Sequence, residues 1–389
     1  MNIIIFEDNN TRYLRPFTIN HASFEVRCGA FRNIERYTFL DDIDKITLIV
    51  RDSLKDIIQE RYPTFNVNPE IVPKGVCING TFIINKEKFN IIKNLENYSY
   101  KGKLISFYSN KDFQLNNFLS YIKDASLVTK EVNINNISYL WDALQYSKDC
   151  IIHDFKYFKN QNNFKLDSSA VTNNLENIYF GENSIIKGGA LLDASRGPII
   201  IDQYAVVGNG AVIEGPVYVG KNTVISPRAI IKQNTSIGPM CKVGGEISSS
   251  IIHAYSNKVH EGFLGNSYIG EWVNIGAGTN NSNLKNNYST VKFDFGDGEF
   301  DTKEQFLGTM IGDYTRLGIL TMLNTGTYIG FGSNVFGGNF QKKFIDSFSW
   351  GDDKQVDLEK LILTIKKMKD RRKQVLSETE INFIKKLYS

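Results

Sequence analysis

Within the 389 residues, the segment Lys258–Asn283 concentrates groups able to move protons and hold anions. His260 is its one histidine, and an imidazole with a pKa near neutrality is the usual side chain for taking a proton from a nucleophile. Lys258, just before it, offers a cation for a phosphate. Asn274 and Asn283, nine residues apart, offer amides. The backbone N–H groups of Gly276 to Gly278 are donors of the kind that stabilise developing negative charge. Asn274 equally suits an asparagine ladder at a corner, and Asn280 to Asn283 equally suit a polar loop. A second set lies in the amino-terminal part. Arg12, Arg15 and Arg27 are cations suited to phosphate, and Asp8 or Asp142 is suited to a divalent cation. Asn79, in Cys77-Ile78-Asn79-Gly80, is a ligand-facing amide or a turn residue.

The element that must position the first set is written in hexads. From Phe180 to about Val335 an aliphatic or aromatic residue recurs every six positions, with a small or β-branched residue four places on. Ile201-Asp202…Ala205, Val207-Gly208…Ala211, Ile213-Glu214…Val217 and Val219-Gly220…Thr223 are successive examples. The beat returns at Ile269-Gly270…Val273, Ile311-Gly312…Thr315, Leu317-Gly318…Thr321 and Ile329-Gly330…Ser333. Neither a helical period nor simple alternation fits this. A hexapeptide left-handed parallel β-helix does, with the aliphatic residue inward on each of three sides and the small residue near the corner. Two interruptions, about Ser248–Ser267 and Asn280–Leu307, read as loops that leave the coil and flank Lys258–Asn283.

Residues 1–155 lack the hexad. Asn2–Phe6, Lys45–Val50, Ile71–Val72, Thr81–Ile84 and Ser126–Val128 read as strands, and Leu54–Glu60, Asn116–Lys123 and Tyr139–Tyr146 as helices, which together predict a mostly parallel α/β domain. Residues 156–177 are expected to connect it to a β-helix over 178–345, and 346–389 to form a helical tail. In that tail Leu358, Leu361, Ile362, Ile365 and Met368 share a face, Lys366–Lys373 is basic, and Ser377-x-x-Glu380 is a capping box. The basic run borders a ligand groove or is a solvated helix face.

The balance of 45 basic and 42 acidic residues gives +3 and does not suggest general nucleic-acid binding. Four scattered cysteines point to a reducing, cytoplasmic setting without disulfides or a thiolate metal site. No apolar run is long enough for a membrane span, and the start does not read as a signal peptide.

The run Lys258-Val259-His260-Glu261-Gly262-Phe263-Leu264-Gly265, with Asn274 and Asn283 beyond it, resembles the acetyl-transfer site of bacterial bifunctional N-acetylglucosamine-1-phosphate uridyltransferase/glucosamine-1-phosphate N-acetyltransferases. It is most similar to a shorter-headed branch of sugar nucleotidyltransferases. The resemblance covers most of the chain and is specific over about Lys242–Asn287. It implies that His260 is the base, that Asn274 and Asn283 hold the sugar and the acetyl carbonyl, and that acetyl-CoA is the donor. It further implies a donor groove between neighbouring β-helices, bordered by Gly276, Gly278, Arg316 and Gly330, and hence a homotrimer. This chain departs from the pattern. Phe263 stands where the longer enzymes carry tyrosine, Ser248-Ser249-Ser250 replaces a lysine pair, and Lys285 is out of register with an expected lysine. The phosphate cradle is thinner, so the acceptor is open between amine and hydroxyl.

In the amino-terminal part, Leu14-Arg15-Pro16-Phe17-Thr18 resembles the L-x-P-x-T that follows the phosphate loop of sugar nucleotidyltransferases, and Arg27 and Gly29 match a later R-x-G. The glycine-rich loop is replaced by Glu7-Asp8-Asn9-Asn10-Thr11-Arg12, and His21 stands in place of an arginine. The resemblance implies attack of a sugar-1-phosphate on the α-phosphate of a nucleoside triphosphate, with Mg²⁺ and basic side chains neutralising charge. The expectation is a sugar-nucleotide enzyme with both activities and a UDP-N-acetylglucosamine-type product for the cell envelope. Two alternatives stand beside it: one surviving activity, or a catalytically silent trimeric scaffold.

Overall fold

The computed structural model describes the chain except for residues 42, 95, 124–127 and 160–162. The amino-terminal domain is built on a seven-stranded mixed sheet. Its parallel centre runs Gly75–Asn79, Asn2–Phe6, Lys45–Ile49, Asn66–Val67, and Lys103–Ser109 adds antiparallel to Gly75–Asn79. Ile3, Ile4, Ile5 and Phe6 are all buried because helices and loops cover both faces. The helices are Lys55–Arg61, Lys86–Ile92, Leu115–Tyr121 and Leu140–Asp154. The expected strand Thr81–Ile84 is not one; the strand precedes it, and Phe82 makes only an isolated bridge to Asn136. The strand expected at Ser126–Val128 falls on Ser126 and Leu127, which lie outside the described residues.

The rest is the left-handed parallel β-helix the hexads predict, followed by helices. Among the described residues, strands stack in parallel on three sides, in ladders of ten, six and nine, and Lys354–Gln355 adds antiparallel to the end of the first. The inward row of one side reads Ile186, Val207, Ile225, Val243, then Ile275, Leu317 and Val335, all buried in one continuous core. Left-handed corner residues stack on each other. Tyr255 lies 4.4 Å from Trp272 and Trp272 6.3 Å from Tyr314, and the three have φ of 55°, 60° and 60°. Such a conformation is rare for bulky residues and is held here by the coil on both sides.

The coil corrects the expected boundaries. Lys165–Leu166 and Val171–Asn173, placed in the connector, already pair with the first turn. Ser349–Trp350, placed in the tail, still pairs with Asn334. The first expected interruption also disappears, since Ile251–Ala254, Asn257–Lys258 and Phe263–Gly265 are coil strands. The second interruption is real. It forms a ribbon, Lys292–Asp294 against Glu299–Asp301, whose Val291 and Phe293 pack with Trp141, Leu14 and Phe17 of the amino-terminal domain. It packs one domain against the other.

The tail helices Leu358–Asp370 and Glu378–Tyr388 lie on the corner column of Trp272 and Tyr314. Ser377 caps the second, as its sequence predicts. In the basic run, Arg372 donates to Met240 O at 2.9 Å and to Asn257 Oδ1 at 2.8 Å, and Lys369 pairs with Glu380. Those two cations are therefore docking groups.

Candidate functional site

His260 occupies a regular corner of the coil, not a loop that leaves it. The four residues Val259–Gly262 separate two coil strands, as Lys187–Ala190 do earlier. Its side chain is exposed and makes no hydrogen bond among the described residues. Its backbone is held from inside. Lys258 pairs with Val243 in register, which puts it in the inward row, and its side chain is 2% exposed. Lys258 Nζ donates to His260 O at 2.6 Å and to Gly244 O at 3.3 Å. Desolvation pulls this ammonium down to about 8, with Glu261 opposing. A lysine so placed cannot reach a sugar phosphate outside the coil, so its expected role as a substrate ligand is replaced by that of a tether.

The glycine donors are also accounted for. Gly276 N–H donates to Leu317 O at 3.0 Å and Gly278 N–H to Glu261 O at 2.9 Å. Both are spent on the coil and neither is free for an oxyanion. What these positions need is the absent Cβ. One on Gly276 would stand 2.6 Å from Gly318 backbone, and one on Gly278, where φ is +70°, would stand 2.5 Å from Leu320.

Asn274, His260 and Asn283 lie on successive parts of the coil, and no hydrogen bond links them. Asn274 is exposed and pairs in register with Asn257 and Arg316. Asn283 lies across the next side and donates to Asn266 Oδ1 at 2.8 Å. Between them, Asn280 accepts from Phe263 N at 2.7 Å and fixes the strand after His260. Asn281, buried, binds Gly265 on both its N–H and its carbonyl. Of the asparagines at 280–283, two are therefore part of the coil.

Beside Asn274, a groove of about 420 Å³ runs between the coil face and the helix Leu358–Asp370, lined by Arg316, Asn334, Trp350, Lys354 and Lys360, with the one acid Asp357. Arg316 Nε is buried without a hydrogen-bond partner, and burial lowers this guanidinium. An orphaned donor beside exposed cations suits a phosphorylated acyl carrier. Gly330, expected to border the donor, does not. Its N–H bonds Ile345 O at 2.8 Å, and a Cβ there would meet Ser347 N at 2.4 Å.

In the amino-terminal domain, a pocket of about 210 Å³ opens at the carboxyl ends of Asn2–Phe6 and Gly75–Asn79. This is where the strand order reverses and ligands of α/β sheets bind. Asp8, Asn10, Asn79, Lys103 and Lys123 line it. Asp8 accepts from Asn10 N at 2.8 Å and from Asn79 Nδ2 at 2.9 Å. The two acids of Glu7-Asp8 point differently. Glu7 is buried on Arg51 Nη1 at 2.8 Å and Ser23 N at 2.8 Å, so only Asp8 faces the pocket. One carboxylate beside amides and lysines fits Mg²⁺, which usually takes one or two carboxylates and completes its shell with water and substrate phosphates. Lys103 and Lys123 were not anticipated; Lys103 starts the antiparallel strand that the sequence reading missed.

Four other expected residues lie elsewhere. Asp142 caps its own helix, accepting from Ser138 N at 2.7 Å and Tyr139 N at 2.9 Å, and burial pushes it up to about 6 against those bonds. Arg27 is buried between the domains, donating to His253 O at 3.2 Å and to Ala30 O. Arg12 lies over the Tyr13 ring at 4.5 Å, and Arg15 lines a different cavity. His21, in place of the expected arginine, is also an interdomain group. Its Nε2 is 2.9 Å from Asp313 Oδ2, and its Nδ1 is 3.3 Å from Glu25 Oε2. Burial lowers His21, but Asp313 and Glu25 outweigh burial and Arg61 and carry it to about 9. With Glu271, His21 and Asp313 place ligand atoms within 4.8 Å of one another. The bonds from His21 and Asn20 to Asp313 and the cation Arg61 beside them mark an ion cluster that joins the domains.

Residues 3–163 match the family model described as sugar nucleotidyl transferase. A bifunctional sugar-1-phosphate nucleotidylyltransferase/acetyltransferase of Sulfurisphaera tokodaii is 28% identical over 273 residues, 69% of this chain. The chain spans 60% of that relative's length. A solved UDP-N-acetylglucosamine acyltransferase of Francisella novicida is 15% identical and covers 59% of this chain and 78% of its own, with a TM-score of 0.21, at which the likeness carries no argument. Residues 3–163 are thus similar to a sugar nucleotidyl transferase domain, and a parallel β-helix follows them. Among the described residues, no helix is long and apolar enough to cross a membrane.

Proposed function

We propose that the β-helix transfers acetyl from acetyl-CoA to an amino sugar-1-phosphate, and that the amino-terminal domain transfers a nucleotidyl group to a sugar-1-phosphate. The observation that carries the first half is the exposed His260 imidazole on a corner whose backbone is pinned by Lys258 from inside the coil. The acceptor nitrogen attacks the thioester carbon, the C–S bond breaks, CoA leaves as its thiol, and His260 takes the proton lost by nitrogen. Arg316 and the neighbouring lysines hold the phosphates of the donor in the groove beside Asn274. In the other domain a sugar phosphate oxygen attacks the α-phosphorus and pyrophosphate leaves. Asp8 would hold Mg²⁺, which would supply charge neutralisation there, and Lys103 and Lys123 bind phosphate oxygens. The product is a UDP-N-acetylglucosamine-type sugar nucleotide for the cell envelope, and three copies complete each donor groove.

A paired product assay tests this. One arm holds glucosamine-1-phosphate and acetyl-CoA, the other N-acetylglucosamine-1-phosphate, each nucleoside triphosphate, Mg²⁺ and pyrophosphatase. Free CoA in the first and a nucleotide sugar in the second are expected, with His260→Ala abolishing only the first and Asp8→Asn only the second. Silence in both arms across a panel of acceptor sugars would refute the proposal. A second reading, acetyl transfer alone, is favoured by one observation. The pocket of about 210 Å³ is small for a sugar nucleotide, and CoA release without a nucleotide sugar would select it.

A further inference from the structure

A cavity of about 630 Å³ lies apart from the pocket at the strand ends and meets the Arg316 groove at Gln355, at the junction of the amino-terminal domain, the late coil and the last helix. Its size is that of a small-ligand site. We propose that it binds a nucleoside diphosphate, held by stacking of the base and by cationic capture of the phosphates, and that this ligand links the three parts of the chain.

Three observations carry this. First, the cavity gathers cations from separate elements: Arg15 and Arg51 from the amino-terminal domain and Lys386 from the last helix. Arg51 already serves Glu7, whereas Arg15 and Lys386 form no ion pair among the described residues and are exposed. Asp346 is the one acidic side chain in the lining. Second, these cations are on fixed supports. Leu14 and Phe17, on either side of Arg15-Pro16, are buried in the interdomain cluster. The helix bearing Lys386 is fixed by buried Ile384 and by Tyr388, whose hydroxyl donates to Val356 O at 2.8 Å. Third, the walls are aromatic. Tyr328 and Phe344 stack with centroids 5.0 Å apart, and Phe295 and Phe383 also line the space. Flat faces beside unpaired cations suit a planar base carrying an anion. Inorganic phosphate would use only half of this surface.

The test is calorimetric titration of the full chain with UDP, with pyrophosphate as the anion-only probe. Variants are Arg15→Ala/Lys386→Ala for this cavity, Phe295→Leu for its aromatic wall, and Lys123→Ala for the pocket at the strand ends. The expected result is a UDP site whose Kd rises roughly tenfold or more in the double variant. The same site should weaken in Phe295→Leu, survive in Lys123→Ala, and prefer UDP to pyrophosphate. Arg15→Lys should recover part of the loss and show that the effect is not misfolding. The proposal is overturned if the wild type binds no UDP, if the double variant binds like the wild type, if Lys123→Ala removes all binding, or if pyrophosphate binds as tightly as UDP. The inference does not depend on either catalytic half being active.

Discussion

The ammonium inside the coil makes a prediction that the bare family resemblance would not. Lys258 sits in a row otherwise made of Val243, Ile275 and their neighbours. Its folded value of about 8 stands against ~10.4 for a free lysine. Carrying the charge in the folded state at pH 7 therefore costs on the order of 3 kcal/mol. The sign follows from proton counting. Between about pH 8 and ~10.4 the unfolded chain binds the extra proton, so folding stability rises with pH through that window and the penalty is fully present below it. Lys258→Met keeps the length, fits the apolar row and removes the charge. Its cost is the two carbonyls it leaves behind, of which that of His260 lies on an exposed corner and can be rehydrated. The variant is expected to be as stable as the wild type or more so at pH 7. Its advantage should shrink by ~3 kcal/mol as pH rises to 10.5. The assay is guanidinium unfolding of both proteins across that range, read as the difference between them so that other titrations cancel. A difference flat with pH would mean that Lys258 keeps an ordinary pKa in solvent, and the tether argument would fail. Acetyl transfer by the variant, if the proposed activity holds, should fall because the His260 corner is no longer held.

The interdomain ion cluster predicts the opposite trend with pH. His21, raised to about 9 chiefly against burial by Asp313, stabilises the docked state below ~6.5, its unfolded value, and that contribution is lost as pH rises through about 9. Limited proteolysis of the wild type should therefore quicken between pH 7 and 10, and His21→Gln should already be quick at pH 7. Gly238→Ala would put a Cβ 1.7 Å from His253 O. The coil must shift there, and a loss of ~3 kcal/mol or more is expected in thermal unfolding. Trp141→Ala removes a side chain stacked on Tyr139 at 4.5 Å and set edge-on to Phe293. It should cost ~3–5 kcal/mol and free the ribbon 292–301, measured as faster amide exchange across it.

The coil was legible because one rule, an aliphatic residue at each inward position, repeats through most of its length with little need of distant partners. Where the rule is broken by a polar residue, the reading failed. Lys258 is an inward residue, but a lysine beside a histidine looks like a ligand for phosphate, and the hexad register lapses around it from about Ser248 to Ser267. The pairing Val243 with Lys258 settles its place, and pairing is a long-range fact. The amino-terminal domain was legible only in part for the same reason. Gly75-Val76-Cys77-Ile78-Asn79 is buried on both faces and has no alternation to read, and Lys103–Ser109 becomes a strand only through its partner Gly75–Asn79.

The candidate site shows the same division. Residue type pointed to His260, and the coil then supplies what type cannot: exposure of the ring and a backbone held by Lys258. For Arg15 and Arg27, type suggested phosphate and the fold separates them. Arg27 is used up between domains on two backbone carbonyls, while Arg15 is left free over an aromatic cavity. A guanidinium whose donors are satisfied inside the protein has little left to offer a ligand, and one held in place without an anion has most of its binding capacity intact. By that criterion Arg15, Arg316 and Lys386 keep their capacity for anions: Arg316 lines the groove where it was expected, whereas Arg15 lies outside the pocket to which the amino-terminal motif assigns it.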